Sequence, residues 1–491
     1  MGSRCCKQQL LFTILISFLL CFVLLCLNYS VLTDSNNGEN KESISSYENN
    51  IIPLNTKPSD SISSLPPSPS ESDSCLGHYI YIHELPSRFN EDLLKNCHLL
   101  TRGTEKNMCP YLVNFGFGPG IEFYEMGLFR TSQFSLEVIF HNKMRSYRCL
   151  TNDSSVASAI YVPFYAGLDV SQYLWGFNTS MRDSSGIGLV DWLARKPEWK
   201  KMWGRDHFLI AGRISWDFRR ETDNESDWGS NFRFLPESKN MSMLSIESSS
   251  WNSDIAIPYP TSFHPGNDSE VFQWQDKMRS RSRQYLFSFA GAPRPCIKDS
   301  IRGKIIDQCL ASGSLCKLLD CNYGATNCDN PINVLKVFTD SVFCLQPPGD
   351  SLTRRSIFDG ILAGCIPVFF HPGTAYAQYI WHLPKDYTTY SLYIPERDVK
   401  DGEVNINETL LEVSKGKVLE LREEVIRLIP GVVYSDPRSK LETLEDAFDV
   451  SVTGILKRID GVRRSGEGRD PSIGFANKDE YRFTFGPNPI N

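Results

Sequence analysis

The chain has 491 residues, 41% of them hydrophobic, which is ample for a large core and by length suggests two or three domains. Its formal net charge is −7 with no long block of one sign, so nothing in the charge points to nucleic acid.

The N-terminus is the first informative stretch. From Leu10 to Leu27 the run LLFTILISFLLCFVLLCL carries no charge, and the uncharged stretch continues to Thr33. Roughly 20 apolar residues span a bilayer core as a helix. A cleaved signal peptide has a shorter apolar region of ~7–15 residues and a small-residue cleavage site, and LNYSVLTDS offers no such site. The sequence therefore predicts an uncleaved anchor over residues 10–32. Arg4 and Lys7 precede it while Asp34 and Glu39 follow. Excess positive charge stays on the cytosolic side, so residues 1–9 are expected there and the body in the lumen. Cys5 and Cys6 lie at the cytosolic face, where palmitoylation occurs. MGSRCC lacks the Ser or Thr that a myristoylation signal wants at its sixth position. Residues 33–74 are rich in Ser, Asn and Pro and poor in aromatics. They read as a flexible stem of ~35 Å mean reach.

A lumenal body meets oxidising conditions, which favour disulfides. Eleven of the 15 cysteines lie beyond the anchor. Cys309, Cys316, Cys321 and Cys328 cluster, but only Cys316 and Cys321 fall within the C-x₂₋₄-C spacing that zinc sites prefer. Disulfides are expected there, with the connectivity open and at least one thiol left over. Glycosylation sequons stand at Asn152, Asn178, Asn224, Asn240, Asn267 and Asn407.

Folded sequence begins with HYIYIHEL (78–85), followed by strand candidates AIYVPFY (159–165), HFLIAGRI (207–214) and IAIPYP (255–260). Helical stretches such as FSLEVIFHNKMRSY (134–147) lie between them. After a polar helical segment at 268–284 comes a second series: YLFSFAG (285–291), LCKLLDC (315–321), SVFCL (341–345), IPVFF (366–370) and YSLYIP (390–395). Buried apolar strands alternating with helices predict α/β domains with mainly parallel sheets. The expected division is 75–270, 271–400 and a helical tail over 401–491.

The segment QPPGDSLTRRSIFDGILAGC (346–365) places a turn, hydroxyls, two arginines and a carboxylate between two apolar strands. The spacing predicts a helix from about Thr353 to Gly364, with Ile357, Ile361 and Leu362 toward the sheet. Its N-terminus would favour an anion by ~0.3–1 kcal/mol when exposed and ~2 when partly buried. Ser351, Thr353, Arg354 and Arg355 add donors, and Asp359 is placed to accept from a ribose hydroxyl. The alternative is a capped helix with an Arg355–Asp359 pair worth about 0.2–0.5 kcal/mol. Neither G-x-x-x-x-G-K-[ST] nor G-x-G-x-x-G occurs.

Several long stretches carry a resemblance: YIYIHELPSRFN (79–90), FSLEVIFHNKMRSYRCLT (134–151), ASAIYVPFYAGLD (157–169), WGRDHFLIAGRISWDFRR (203–220), MLSIESSSWN (243–252), YLFSFAGAPRP (285–295), LLDCNYGATNCDNP (318–331), and the segment above continued into VFFHPGTAYAQYIWHLP (368–384). Across about residues 77–400 the chain resembles the exostosin-like glycosyltransferases of family 47, in their plant xyloglucan galactosyltransferase branch. The resemblance implies a type II Golgi membrane enzyme of GT-B fold, with two facing Rossmann-like domains. It implies inverting transfer of β-galactose from UDP-galactose to xylosyl side chains of the cell-wall hemicellulose xyloglucan, alongside other Golgi glycosyltransferases. It assigns Ser351, Arg354, Arg355 and Asp359 to the nucleotide region; Arg294, just after YLFSFAG, is a further diphosphate candidate. Members of the branch use different sugars, UDP-galacturonic acid among them, and no residue read here fixes the choice.

Inverting transfer needs a base for the acceptor hydroxyl and positive charge for the departing diphosphate. No Asp-x-Asp occurs. The looser pairs Glu396/Asp398 and Asp401/Glu403 fall in expected late loops, so no obligatory metal is predicted and arginines carry the leaving-group charge. Base candidates from the N-terminal half are His207, Asp206 and Glu84, each set against a structural role at a strand end. Trp251, Trp274 and Trp381 offer faces for sugar stacking, though aromatics are more often core. A glycoside hydrolase would also pair carboxylates but has no use for an arginine-rich phosphate loop. A non-catalytic carbohydrate-binding or scaffold protein stays open on sequence alone.

Overall fold

The computed structural model describes residues 75–465, apart from 102–106, 122–126, 296, 298–299, 323–327 and 329. The expected anchor at 10–32, the cytosolic tail and the stem lie outside the described residues. Among the described residues no helix is long and apolar enough to cross a membrane.

Two five-stranded sheets, parallel throughout, organise the described chain. The first contains β1 Tyr79–Ile82, β2 Ala157–Tyr161, β3 His207–Ile214, β4 Ser242–Glu247 and β5 Asp254–Ala256. The second contains β6 Tyr285–Gly291, β7 Cys316–Asp320, β8 Ser341–Gln346, β9 Ile366–Phe369 and β10 Leu392–Tyr393. Parallel strands are covered on both faces and so read as continuous apolar runs. In β3, Phe208 and Ile210 enter one buried cluster while Leu209 and Ala211 enter another on the opposite face. The first of these clusters runs without a break from Ile80 in β1 to Phe369 in β9 and Ile459 in the last helix.

That last helix, Ala447–Ser465, reaches back to the first sheet, where Arg463 donates to the Ala157 carbonyl at 3.3 Å and Arg458 to Ser242 Oγ at 3.1 Å. That helix therefore packs against the first sheet. Within the expected helical tail, residues 406–427 form two helices, Ile406–Leu411 and Lys415–Arg427, because Ser414 caps the second by accepting from Lys417 N.

Strand order separates the two sheets. The first runs β1-β2-β3-β4-β5 in simple succession, which departs from the reversed order of a Rossmann sheet. The second runs β10-β9-β8-β6-β7, so the chain steps outward from β6 to β7 and then returns to β8 on the other side. The reversal lies between β6 and β8, and loops leaving the carboxyl ends of such strands diverge and leave room for a ligand.

Five disulfides pair ten of the eleven cysteines beyond the expected anchor: Cys75–Cys149, Cys97–Cys109, Cys309–Cys316, Cys321–Cys328 and Cys344–Cys365. The eleventh, Cys296, lies outside the described residues. Cys344–Cys365 ties β8 to the start of β9 across the base of the 346–365 segment. Cross-linking a loop of that size stabilises by about 3 kcal/mol in the chain-entropy picture.

Candidate functional site

The loops that diverge at the reversal carry a cluster of arginines. β6 ends at Gly291 and leads to Arg294, while β8 ends at Gln346 and leads into Pro347–Arg355. This second loop is tight, since a Cβ on Gly349 would lie 2.5 Å from the Thr353 carbonyl oxygen. Arg294 Nε donates to Asp350 Oδ1 at 2.5 Å. Arg302, buried at the start of the helix Arg302–Ala311, donates to the carbonyls of Pro348 at 3.0 Å and Ala292 at 3.3 Å. Arg354 Nη2 donates to the Ala290 carbonyl at 2.6 Å, and its guanidinium lies 5.3 Å above the Phe289 ring. Its Nη1 is buried and has no hydrogen-bond partner.

Three guanidiniums thus gather around one carboxylate. Burial, then repulsion from Arg302 and Arg294, holds the Arg354 pKa well below its ordinary value. Burial and the nearby Arg294 lower Arg302 to about 10. Burial pushes Asp350 up, but the Arg294 hydrogen bond and the surrounding charges more than offset this, leaving it below the usual carboxylate range. Surplus positive charge and an unpartnered N–H suit a diphosphate, which accepts several hydrogen bonds and spreads two or more negative charges.

Arg355 and Asp359 face another way. The helix is shorter than predicted, Ser356–Leu362, because Thr353–Arg355 are spent on the turn, so its macrodipole contributes less than the spacing suggested. Asp359 pairs with Arg355 at 3.3 Å, both side chains being mostly buried, at 14% and 18% exposure. Arg355 also donates to the Thr131 carbonyl at 2.6 Å and to Ser262 Oγ at 3.0 Å, tying the helix to the first half of the chain. Burial raises the Asp359 pKa, opposed by Arg355.

Ser351 does not turn toward the arginines. Its hydroxyl donates to Glu247 Oε2 at 2.6 Å, and the Thr353 amide and hydroxyl both reach the same oxygen at 2.7 Å. Glu247 ends β4 and is 7% exposed. Burial raises its pKa, the three hydrogen bonds oppose that, and the charge of Asp217 adds to the rise. Asp217 follows β3, where it accepts from Arg213 at 3.0 Å and from Trp228 Nε1 at 2.6 Å. Neither Glu247 nor Arg302 stood out in the sequence. The signals available were a carboxylate ending a strand-like SMLSIE and an arginine shortly after a strand.

The base candidates lie elsewhere. His207 opens β3 and is fully buried, with Nδ1 on Asp206 Oδ1 at 2.8 Å and Nε2 on His83 Nε2 at 3.1 Å. Burial, then His207 and Lys196, lowers His83 to about 3. Both nitrogens of His207 are therefore occupied, at the opposite end of β3 from the carboxyl edge. Asp206 is equally buried, and Glu84 is exposed just beyond β1. Of the tryptophans, Trp274 is core: it stacks on Phe263 at 4.7 Å and donates to the Leu362 carbonyl at 2.8 Å. Trp251 stands 5.1 Å from the Arg219 guanidinium, and Trp381 packs against Gly454. Trp216, which follows β3, and Trp203, which precedes it, are the most exposed of the described tryptophans.

Glu396, Asp398 and Asp401 belong to the helix Glu396–Asp401 rather than to a loop. Among the described residues no group of three or more His, Cys, Asp or Glu is arranged to hold a metal ion. Of the sequons, Asn152, Asn178, Asn224 and Asn267 are exposed, whereas Asn240 Nδ2 donates to the Trp203 carbonyl at 2.8 Å and Asn407 Oδ1 is buried without a partner.

Comparison with known proteins agrees with the resemblance. The Exostosin GT47 domain matches residues 74–410. The chain is 62% identical over 455 residues to "Probable xyloglucan galactosyltransferase GT14" of Arabidopsis thaliana, covering 91% of this chain and 87% of that one. It is 55% identical over 421 residues to "Xyloglucan galactosyltransferase MUR3" of the same plant, covering 84% and 68%. It is 43% identical to that plant's "Xyloglucan-specific galacturonosyltransferase 1", covering 79% and 58%. The crystal structure of a GtfA/B complex aligns over 70% of this chain and 64% of that one at 10% identity, with a TM-score of 0.32, too remote to carry an argument. The matched domain and these identities place the chain in the exostosin GT47 family.

Proposed function

We propose that the chain transfers galactose from UDP-galactose to xylosyl side chains of xyloglucan by a single inverting displacement. The observation that carries the reading is the trio Arg294, Arg302 and Arg354 at the reversal of the second sheet, with Arg354 Nη1 unpartnered, in a chain 55–62% identical to xyloglucan galactosyltransferases. This cluster receives the diphosphate of the donor. Its charge stabilises the leaving group as the sugar–phosphate bond breaks, with no reorganisation at the moment of reaction. The GT-B arrangement of two facing halves belongs to the same reading, and Asp359 would accept from the ribose.

The enzyme would be held in the Golgi membrane by residues 10–32, with the body lumenal and other Golgi glycosyltransferases as neighbours. The apolar run, the flanking charges and the sequons support that placement. Incubating the full chain with xylosylated glucan oligosaccharides and a panel of UDP-sugars tests the reaction by product mass. A gain of one hexose from UDP-galactose is expected. A gain of one hexuronic acid instead would transfer the chain to the galacturonosyl reading, and UDP binding without product would favour a scaffold.

A further inference from the structure

We propose that Glu247 is the general base of the transfer, with Oε1 taking the proton of the acceptor hydroxyl. The inference rests on the galactosyltransferase reading above. Glu247 sits at the carboxyl end of β4 in the first sheet, in contact with the loop of the second sheet that bears Arg354. A base there belongs to the first sheet, whereas the charge that receives the leaving group is carried by loops of the second.

The carboxylate is held asymmetrically. Ser351 Oγ, Thr353 N and Thr353 Oγ1 all donate to Oε2, at 2.6, 2.7 and 2.7 Å. Among the described residues Oε1 has no hydrogen-bond partner. One oxygen fixes the orientation while the other keeps a lone pair for a proton. The backbone on either side is pinned as well. Tyr379 Oη donates to the Ile246 carbonyl at 2.9 Å, and Gln378 Oε1 accepts from Ser248 N at 2.8 Å and Ser248 Oγ at 2.9 Å. Such support is what positions a catalytic group within the tolerance that proton transfer requires.

The surroundings also make the carboxylate more basic than an exposed one. Burial is the largest cause, and Asp217, facing it from the turn after β3, adds repulsion. Tyr259 joins the network through Thr353 Oγ1 at 2.9 Å. A carboxylate whose pKa lies nearer the working pH transfers protons more effectively. In the step itself the acceptor oxygen bonds to C1 of the sugar as the C1–O bond to the diphosphate breaks. The electron pair leaves on the diphosphate, beside the arginines. The acceptor proton moves to Oε1 and is released to solvent after UDP departs.

Glu247→Gln in the full chain is the test, because glutamine still offers an oxygen to Ser351 and Thr353. UDP affinity, read by calorimetric titration, should stay within about threefold of wild type. Turnover should fall by ~10²–10⁴, the usual contribution of a general base, and the acidic limb of the kcat/KM pH profile should disappear. Turnover within tenfold of wild type overturns the proposal. So does a loss of UDP affinity that parallels the loss of activity, since Glu247 would then only latch the donor loop. Where the amide disturbs folding, Glu247→Asp decides: kcat should drop at least ~10-fold while the acidic limb persists, and an unchanged kcat refutes the role. Absence of product from the wild-type chain would refute the galactosyltransferase reading itself, whereas an active Glu247→Gln variant counts against Glu247 alone.

Discussion

Arg354→Met separates the proposed donor site from a structural role. Methionine keeps most of the side-chain length and the contact with Phe289 while removing the charge. On the stability side the variant loses the bond from Nη2 to the Ala290 carbonyl, worth about 0.5–1.5 kcal/mol, and a cation–π contact worth about 0.5–1 kcal/mol. Against this, it removes the unpartnered buried Nη1, whose desolvation costs about 1–3 kcal/mol. It also relieves repulsion from Arg294 and Arg302. These effects nearly cancel, so stability should remain within about 1 kcal/mol of wild type, a shift of about 1–2 °C in Tm for a body of this size. Donor binding has no such compensation. Losing charge-assisted hydrogen bonds to a phosphate should cost about 1.5–3 kcal/mol, roughly tenfold to more than a hundredfold in Kd. Calorimetric titration of UDP alongside thermal unfolding reads both quantities. Unchanged UDP affinity in a folded variant refutes the diphosphate assignment, and a Tm drop far beyond this range shows that the arginine is a structural strut.

Asp359→Ala should weaken UDP at least tenfold but leave inorganic diphosphate binding unchanged, because the proposed contact is to the ribose; equal loss for both ligands, or none for either, contradicts it. Transfer should persist in EDTA, since arginines supply the leaving-group charge; complete loss restored by manganese would overturn the metal-free mechanism. His264 is held neutral, its pKa lowered from 6.5 to about 3 by burial, with Nδ1 donating to the Tyr434 carbonyl at 2.7 Å. A depressed folded-state pKa gives stability that is fully present above pH 6.5 and is lost as pH falls toward 3. His264→Asn should therefore flatten the decline of the urea midpoint over that window, whatever its effect at neutral pH, and an unaltered pH slope would show that other groups control acid unfolding.

How much of this was legible in the sequence depended on whether a signal is local. The outer features of β3, β6, β8 and β9 could be read directly because strands covered on both faces become apolar runs, and HFLIAGRI, YLFSFAG, SVFCL and IPVFF are such runs. β4 was not read as a strand, since SMLSIE mixes two serines with its apolar residues, and both serines find buried partners only in the fold: Ser242 accepts from Arg458, and Ser245 donates to the Glu247 carbonyl. Glu247 was invisible for the same reason at longer range. Its partners lie 104 and 106 residues away, and no spacing rule connects a strand end to a loop in another sheet. Arg302 likewise acquires meaning only through the Pro348 carbonyl 46 residues on.

His207 shows how a correct strand can still mislead about a site. Histidine at a strand start in GRDHF looks available for proton transfer, but parallel register decides which end of the strand meets a ligand. Ile160 pairs with His207, whereas Ile214 pairs with Glu247. The histidine and the glutamate therefore occupy opposite ends of the same sheet, and the carboxyl end is the one where ligands bind in open α/β sheets. Arg355 and Asp359 make the complementary point within one segment. An i, i+4 spacing supports an ion pair whether the helix face is solvated or enclosed. What separates those cases is the third and fourth partners, Thr131 and Ser262, which come from the other half of the chain. They turn a surface pair into a mostly buried junction, so Asp359 must satisfy Arg355 and any ribose hydroxyl at once. A carboxylate has about four lone-pair sites on two oxygens, enough for both. The pair and the ligand contact are thus compatible roles for one side chain, and separating them takes a comparison of UDP with a ligand that lacks the ribose.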